Sequence, residues 1–377
     1  MRLDLRSAPL ARLTPIVRSA LVALLLPGAV LAGPSCQGTR PATETTATAE
    51  AAPSEQELRD LALADWNPGV PEELFEVVRV VDGDTIHIQR QGEVQKLRLL
   101  SVDTEEKLTG RASSGGSKPE TVYGQASADW AIRFFDELSE GDEPTRVGLL
   151  FPDGVERRDV YGRVLCHVVL ADGTDFNLLL VALGRSPYFN KYGNSLICHA
   201  AFRAAQKRAR AASLGVWDPE TNAADGDAPA VRRPYDQLLP WWEARARAVD
   251  AYRAAADADA AVGDAEVPDS MAELLTKDVD RVRIFGSVFR VFREDDGSAT
   301  LLFRTGVRER AFRARIDADS VDDFDLAGIE SSTDEFRQNY LWVTGSLRPD
   351  RDGFDMQLTD PQQLVPAGPE PDALEER

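Results

Sequence analysis

The sequence predicts a mainly β protein with helices: a five-stranded barrel with packed helices in its middle, and a second small barrel near its C-terminus. Short apolar runs recur between 75 and 102, between 145 and 170, and again after 281, each bounded by turn residues such as Asp82-Gly83 or Gln91-Gly92. Helical spacing of apolar residues interrupts the first set at Ala126, Trp130, Ile132, Phe134 and Leu138. A chain of 377 residues also exceeds what one small core uses, so two cores are expected.

Taken in order, the first 32 residues read as a signal peptide. Arg2, Arg6, Arg12 and Arg18 precede the apolar run Ala20 to Leu26, and Val30-Leu31-Ala32 suits cleavage after Ala32. The run is shorter than the roughly 20 residues a membrane span needs, so no transmembrane span is expected in the mature chain. Export to the periplasm, cell envelope or medium follows. Cys36 stands where a lipid anchor could attach, although Pro34 and Ser35 make a poor lipoprotein box. Residues 33–74 form a flexible linker rich in Thr, Ala, Pro and Glu, followed by a short helix over 55–66.

Residues 75–218 are the first globular unit. FEVVRVV, TIHIQ and VQKLRLLSV are three strands in meander order, the helix of 122–138 follows, and TRVGLLF and RVLCHVVL are two more strands. A turn at 171–173 leads into the helical NLLLVALG, and HAAFRAAQKRARAASLG closes the unit at Gly215. That order fits a Greek-key barrel of the oligonucleotide-binding type. In an exported protein, Cys166 and Cys198 are the plausible disulfide pair; two separate buried thiols are the equal alternative.

Residues 219–276 hold a linker and an Ala-rich helix from about Trp241 to Ala261, whose tandem Trp241 and Trp242 suit docking on a neighbouring domain. The β pattern returns in 277–366, where five short runs predict a second barrel of similar topology, and 367–377 is an acidic tail.

The formal charge of −20 argues against nucleic acid as partner until it is divided along the chain. Residues 1–74 hold 6 Lys/Arg and 9 Asp/Glu, 75–218 hold 18 and 20, and 219–377 hold 19 and 34. The first globular unit is thus nearly neutral and the acidity is C-terminal. A scaffold or docking role suits that acidic second barrel, whose partner is unknown.

Two runs carry chemistry: Asp82-Gly83-Asp84-Thr85 after one strand, and the segment from Arg98 to Glu106 at the end of another. Carboxylates from neighbouring strand ends suit a hard divalent cation, which makes Asp84 and Asp103 the candidate ligands. An Asp-Gly pair alone is more often a turn. Arg98 and Arg163 add planar cationic forks of the kind that grip phosphate oxygens, and Tyr161 could stack on a base.

Together DGDT, RLLSVDTEE, Tyr123 to Ser127, Asp159 to Arg163, LLLVALG and Leu214 to Trp217 resemble the thermonuclease (staphylococcal nuclease-like) family over almost all of 75–218. The resemblance implies a Ca²⁺-dependent hydrolase that cleaves DNA and RNA, single-stranded or frayed by preference, to products ending in 3′-phosphate. It makes Asp84 and Asp103 carboxylate ligands of Ca²⁺ and Thr104 the residue whose carbonyl joins them. Arg98 and Arg163 become the phosphate-gripping pair, and Glu106 the residue that positions or deprotonates water. Asp82 is an acid near the metal, while Tyr161, Tyr188 and Tyr192 are substrate-binding aromatics. One departure is Glu105, which stands where the family usually has proline; another is the Ser/Gly-rich loop 107–121, read as a flap on the groove or an ordinary surface loop. Every catalytic role falls inside 75–218, so that segment alone is expected to cleave. The alternative is a catalytically weak nucleic-acid-binding or protein-interaction module of the same fold.

Overall fold

Residues 53–109, 118–139, 141, 143–159, 161–223, 231–277, 279–305, 307, 310–329, 336, 339–351 and 353–368 are described by a computed structural model. The signal peptide, Cys36 and all but the first two residues of the acidic tail lie outside them. Among the described residues no helix is long and apolar enough to cross a membrane.

Helix α1 (Glu55–Asp65) opens with a capping box, in which Ser54 and Glu57 satisfy each other's backbone N–H groups. Strands β1 (Phe75–Asp82), β2 (Thr85–Arg90) and β3 (Glu93–Leu99) form the expected meander. Helix α2 (Val122–Glu137) starts at Thr121, whose hydroxyl accepts from Gly124 N at 2.9 Å. After β4 (Arg146–Leu150) and the short β5 (Arg157–Arg158), β6 (Val164–Leu170) pairs antiparallel with β4 and parallel with β3. Because β1 also pairs with β4, five strands close into a ring. The expected barrel is therefore present.

Its interior is filled by Ile86, Ile88, Leu97, Leu99, Val164 and Val168. Helix α3 (Phe176–Ala182) is buried along its whole length, and Phe176 stacks on Trp130 of α2 with ring centres 6.0 Å apart. Helix α4 (His199–Ala211) packs Phe202 and Ala205 on the same core.

Helix α5 (Tyr235–Ala258) begins six residues before the expected Trp241, with Pro240 inside it. Proline lacks an N–H and ordinarily ends a helix, which is why the sequence suggests a later start. Here the first turns are held by burial of Tyr235, Leu238, Trp241 and Trp242 in a cluster with Phe189, Val216 and Trp217, the docking expected of the tandem tryptophans.

The second sheet follows β7 (Val262–Asp264) and α6 (Pro268–Leu275). It contains β8 (Val282–Arg293), β9 (Ala299–Phe303) and β10 (Phe312–Ile316), then, after α7 (Leu326–Ile329), β11 (Tyr340–Gly345), β12 (Arg348–Asp350), β13 (Gly353–Leu358) and β14 (Leu364–Pro366). Long β8 pairs with β9 through one half and with β11 through the other, while β10 runs parallel to β13. That is the connectivity of the first barrel, except that no ladder joins β11 to β13 among the described residues.

Cys166 and Cys198 are free and buried. The disulfide reading fails for a reason of geometry: successive strand residues point to opposite faces, and it is His167, not Cys166, whose ring lies near the Cys198 thiol.

Candidate active site

The turn between β1 and β2 and the end of β3 meet because β2 and β3 pair from Thr85 opposite Arg98. Asp84 thereby faces the segment that follows Leu99. Its Oδ2 accepts from Thr104 N at 3.0 Å, and Gly83 lies so close that a Cβ there would stand 2.5 Å from the Thr104 methyl. Asp103 is fixed from behind by its own N–H, which donates to Ser186 Oγ at 2.8 Å.

One guanidinium joins the two acids. Arg98 Nη1 lies 2.6 Å from Asp84 Oδ2 and Nη2 lies 2.8 Å from Asp103 Oδ1, with all three side chains largely buried. Lys118 reaches the same cluster, 3.0 Å from Asp103 and 2.5 Å from Glu106, whose carboxyl stands half-exposed at the cleft. Burial, reinforced by the charge of Asp84, pushes the Asp82 carboxyl up to about 7. Burial opposes ionisation of Asp103 too, but Arg233, Lys118 and Arg98 outweigh it and hold that carboxyl well below its usual range.

Arg163 is presented by a tight loop built around Asp159. That carboxylate accepts from the backbone N–H groups of Tyr161 and Arg163, each at 2.9 Å, and from Arg163 Nε at 2.7 Å, while Gly162 supplies the left-handed bend at φ +76°. Tyr161 is 80% exposed beside the Arg163 guanidinium. Both residues line the wall of one cleft of about 830 Å³ that also holds Asp82, Asp84, Arg98, Asp103, Glu106, Lys118, Lys191 and Tyr192.

Tyr188 is elsewhere. It is buried, stacked on Phe202, and its hydroxyl accepts from Ser195 N at 2.8 Å and meets His199 Nδ1 at 2.9 Å. Its proximity in sequence to the cleft-lining Phe189 and Lys191 conceals a core role. Glu105 also turns inward, 3% exposed, accepting from Thr121 Oγ1, Asn222 Nδ2 and Tyr235 Oη.

Several family landmarks prove to be close approaches. A Cβ on Gly124 would lie 2.1 Å from the Glu106 carbonyl oxygen, and one on Gly215 would lie 2.1 Å from that of Gly184. The glycines let α2 touch the site loop and let the chain close against the end of α3.

The structure is thus an oligonucleotide-binding-type barrel with clustered acids and two arginines in one cleft. The family described as Staphylococcal nuclease homologue matches residues 96–219. Thermonuclease of Staphylococcus intermedius is 30% identical over 151 residues, covering 39% of this chain and 77% of that protein. Endonuclease YhcR of Bacillus subtilis is 31% identical over 165 residues, 42% of this chain but only 13% of that protein's length. Thermonuclease of Staphylococcus hyicus is 28% identical over 151 residues, covering 39% of this chain and 76% of that protein. The chain belongs to the staphylococcal nuclease-like family of nucleases, hydrolases acting on nucleic acid. The matched region begins after Asp84, yet β1 and β2 close the same ring.

Three site residues carry no signal that a sequence reading could use. Lys118 lies in a loop whose composition marks only a Ser/Gly-rich connection, and Ser186 acts through a hydroxyl common on any surface. Arg233 lies 130 residues from Asp103, beyond the reach of any local motif.

Proposed function

We propose that this chain is an exported Ca²⁺-dependent endonuclease that hydrolyses DNA and RNA to 3′-phosphate ends. The observation that carries it is the single Arg98 guanidinium spanning Asp84 and Asp103, which holds two carboxylates at one point beside Glu106. The donor set is all oxygen, burial and the crowding of acids push Asp82 toward its neutral form, and the Gly83 cradle brings Thr104 against Asp84. These features suit a hard cation held by Asp84, Asp103 and the Thr104 carbonyl, and a flexible oxygen site outside the cytoplasm favours calcium. When bound, such an ion supplies positive charge beside the scissile phosphate.

The protein's own groups do the rest. Arg98 and Arg163 grip the phosphate and meet the charge that grows on its oxygens as water attacks. Glu106 orients that water and takes its proton once Lys118 releases the carboxylate. The new bond forms from water oxygen to phosphorus and the bond to the 5′-oxygen breaks, leaving a 3′-phosphate and, after proton uptake, a 5′-hydroxyl. Tyr161 and Tyr192 offer exposed rings along the cleft for unstacked bases, which favours single strands.

The test is cleavage of end-labelled single-stranded DNA and RNA by the full chain, with Ca²⁺ and with excess chelator. Calcium-dependent cleavage leaving ends that resist ligation until dephosphorylated supports the reading. Undiminished cleavage in chelator overturns the calcium dependence, and 5′-phosphate products overturn the mechanism.

A further inference from the structure

We infer that Arg233, from the segment downstream of the nuclease family match, is a positioning residue that locks Asp103 so that one carboxylate oxygen is aimed into the acidic cluster. The inference rests on reading Asp103 as a cation ligand.

The geometry is a two-point grip on one residue. Arg233 Nη1 donates to the Asp103 backbone carbonyl at 3.0 Å while Nη2 donates to carboxylate Oδ2. Main chain and side chain are thereby fixed together, which simple charge neutralisation would not require. The grip occupies Oδ2 and turns Oδ1 toward Asp84, where Arg98 bridges the two acids and Lys118 lies 3.0 Å from Oδ1. An arginine suits this task because its planar fork reaches two acceptors at once.

Arg233 is itself held rigidly. Its side chain is 4% exposed, and its guanidinium lies 5.7 Å from the Tyr235 ring centre and 5.3 Å from that of Trp242. Trp242 meets Phe189 edge-on at 4.8 Å, and Phe189 N donates to Ser101 O at 2.9 Å, two residues before Asp103. The start of α5 is therefore wedged behind the strand end that carries the site.

A second pin enters beside the first, at the position where the family's proline is missing. Glu105 Oε1 accepts from Tyr235 Oη at 3.0 Å and Oε2 from Asn222 Nδ2 at 2.8 Å. Proline stiffens a loop from within. Here the buried Glu105 is the handle by which the loop of 103–106 is held, by Thr121 within the matched region and by Asn222 and Tyr235 beyond it.

The experiment compares the full-length wild type with Arg233→Ala, Arg233→Lys and Tyr235→Phe, each checked for folding by circular dichroism and thermal melting. Calcium affinity is read by calorimetry, and kcat is read separately. Removing a cation that lies against a ligand would tighten calcium binding if charge alone mattered. Positioning predicts the opposite sign: Arg233→Ala weakens calcium binding about tenfold or more, the usual cost of losing a group that orients a ligand. Arg233→Lys does not restore it, because a point charge cannot make the fork. Tyr235→Phe, a mild change, lowers kcat through a loosened Glu106 with little change in calcium affinity. Unchanged or tighter binding in Arg233→Ala, or full rescue by lysine, overturns the inference while leaving the calcium reading intact. A wild type that takes up no calcium overturns both. If Arg233→Ala does not fold, the lysine variant decides by the same criterion.

Discussion

The barrel and the second sheet repeat one connectivity, save for the β11–β13 ladder, and carry acidic residues after corresponding strands, yet their surroundings differ. In the first, the β1–β2 turn and the end of β3 bring Asp82, Asp84 and Asp103 under cover with Arg98, Lys118 and Arg233 among them. In the second, the β8–β9 turn carries Glu294, Asp295 and Asp296, and Asp317 directly follows β10, all exposed. Asp296 there only closes its own turn, accepting from Ser298 N at 2.9 Å and Ser298 Oγ at 2.7 Å. The difference teaches that topology alone gathers acids at a strand end. Burial and interleaved cations set the first gathering apart, whereas the acids of the second are exposed.

The largest effect that could break this comparison lies in Arg163. Its proposed task is to meet charge that appears mainly in the transition state, so Arg163→Ala is expected to lower kcat by about 10²-fold or more while KM and calcium affinity change little. Arg163→Lys should not restore turnover, for want of the planar fork. Removing the acids of the second sheet, as in Asp296→Asn with Asp317→Asn, should leave kcat where it was. Steady-state kinetics on one oligonucleotide measure both arms. Near-wild-type turnover in Arg163→Ala would remove the phosphate-gripping role and the mechanism with it.

Next in size is the dependence of the first barrel on the residues downstream of it. Residues 75–218 hold every side chain assigned a catalytic role, which by itself suggests that they cleave alone. Asn222, Arg233 and Tyr235 change that expectation, because all three grip the loop of 103–106 from beyond residue 218. A chain ending after residue 218 should bind calcium about 10- to 100-fold more weakly than one ending after α6, even where circular dichroism shows both folded. Equal affinity of the two fragments would make the first barrel self-sufficient.

A smaller effect is expected at Gly124. Adding a methyl would drive a Cβ to 2.1 Å from the Glu106 carbonyl oxygen, so Gly124→Ala must push α2 away from the site loop. Overpacking of this kind costs about 1–3 kcal/mol, seen as a lower thermal midpoint, and kcat should fall because Glu106 moves. A Gly124→Ala protein with unchanged melting and turnover would show that the contact can yield freely.

How much of the fold and site is legible in the sequence depends on the range of the interactions. DGDT and the Arg98–Glu106 run lie on paired strands, so their meeting can be read from strand order, and the glycine landmarks mark backbone contacts that tolerate one residue type. Arg233 bears no local mark, since its meaning depends on a partner 130 residues away. The start of α5 is displaced from its expected place because the local rule for Pro240 yields to aromatic burial. Tyr188 defeats a sequence reading because period and proximity do not reveal which face a loop residue takes. The glutamate in place of proline at Glu105 is visible in the sequence, but its purpose needs Asn222 and Tyr235 in view.

The smallest effect concerns Lys191, which stands where the cleft leaves the first barrel for α5. Its ammonium lies 4.5 Å from the Trp241 ring centre and 5.6 Å from that of Tyr192, and no ion pair forms on it among the described residues. Burial pulls its pKa down to about 8; Arg245, Arg304 and Arg233 nearby add to the fall and Asp103 works against it. Lys191 is therefore cationic below pH 8 and loses its charge as pH rises through that value. A polyanionic substrate is held better by the charged form, so KM should rise by roughly fivefold between pH 7 and 9, on the order of one exposed charge pair at ~1 kcal/mol. Lys191→Arg keeps its charge and should hold KM flat across that range, whereas Lys191→Met should show the high value at every pH. Measuring KM against pH at fixed ionic strength decides it. If Lys191→Met retained the same rise, the titrating group would lie elsewhere and the path of the strand beyond the first barrel would have to be redrawn.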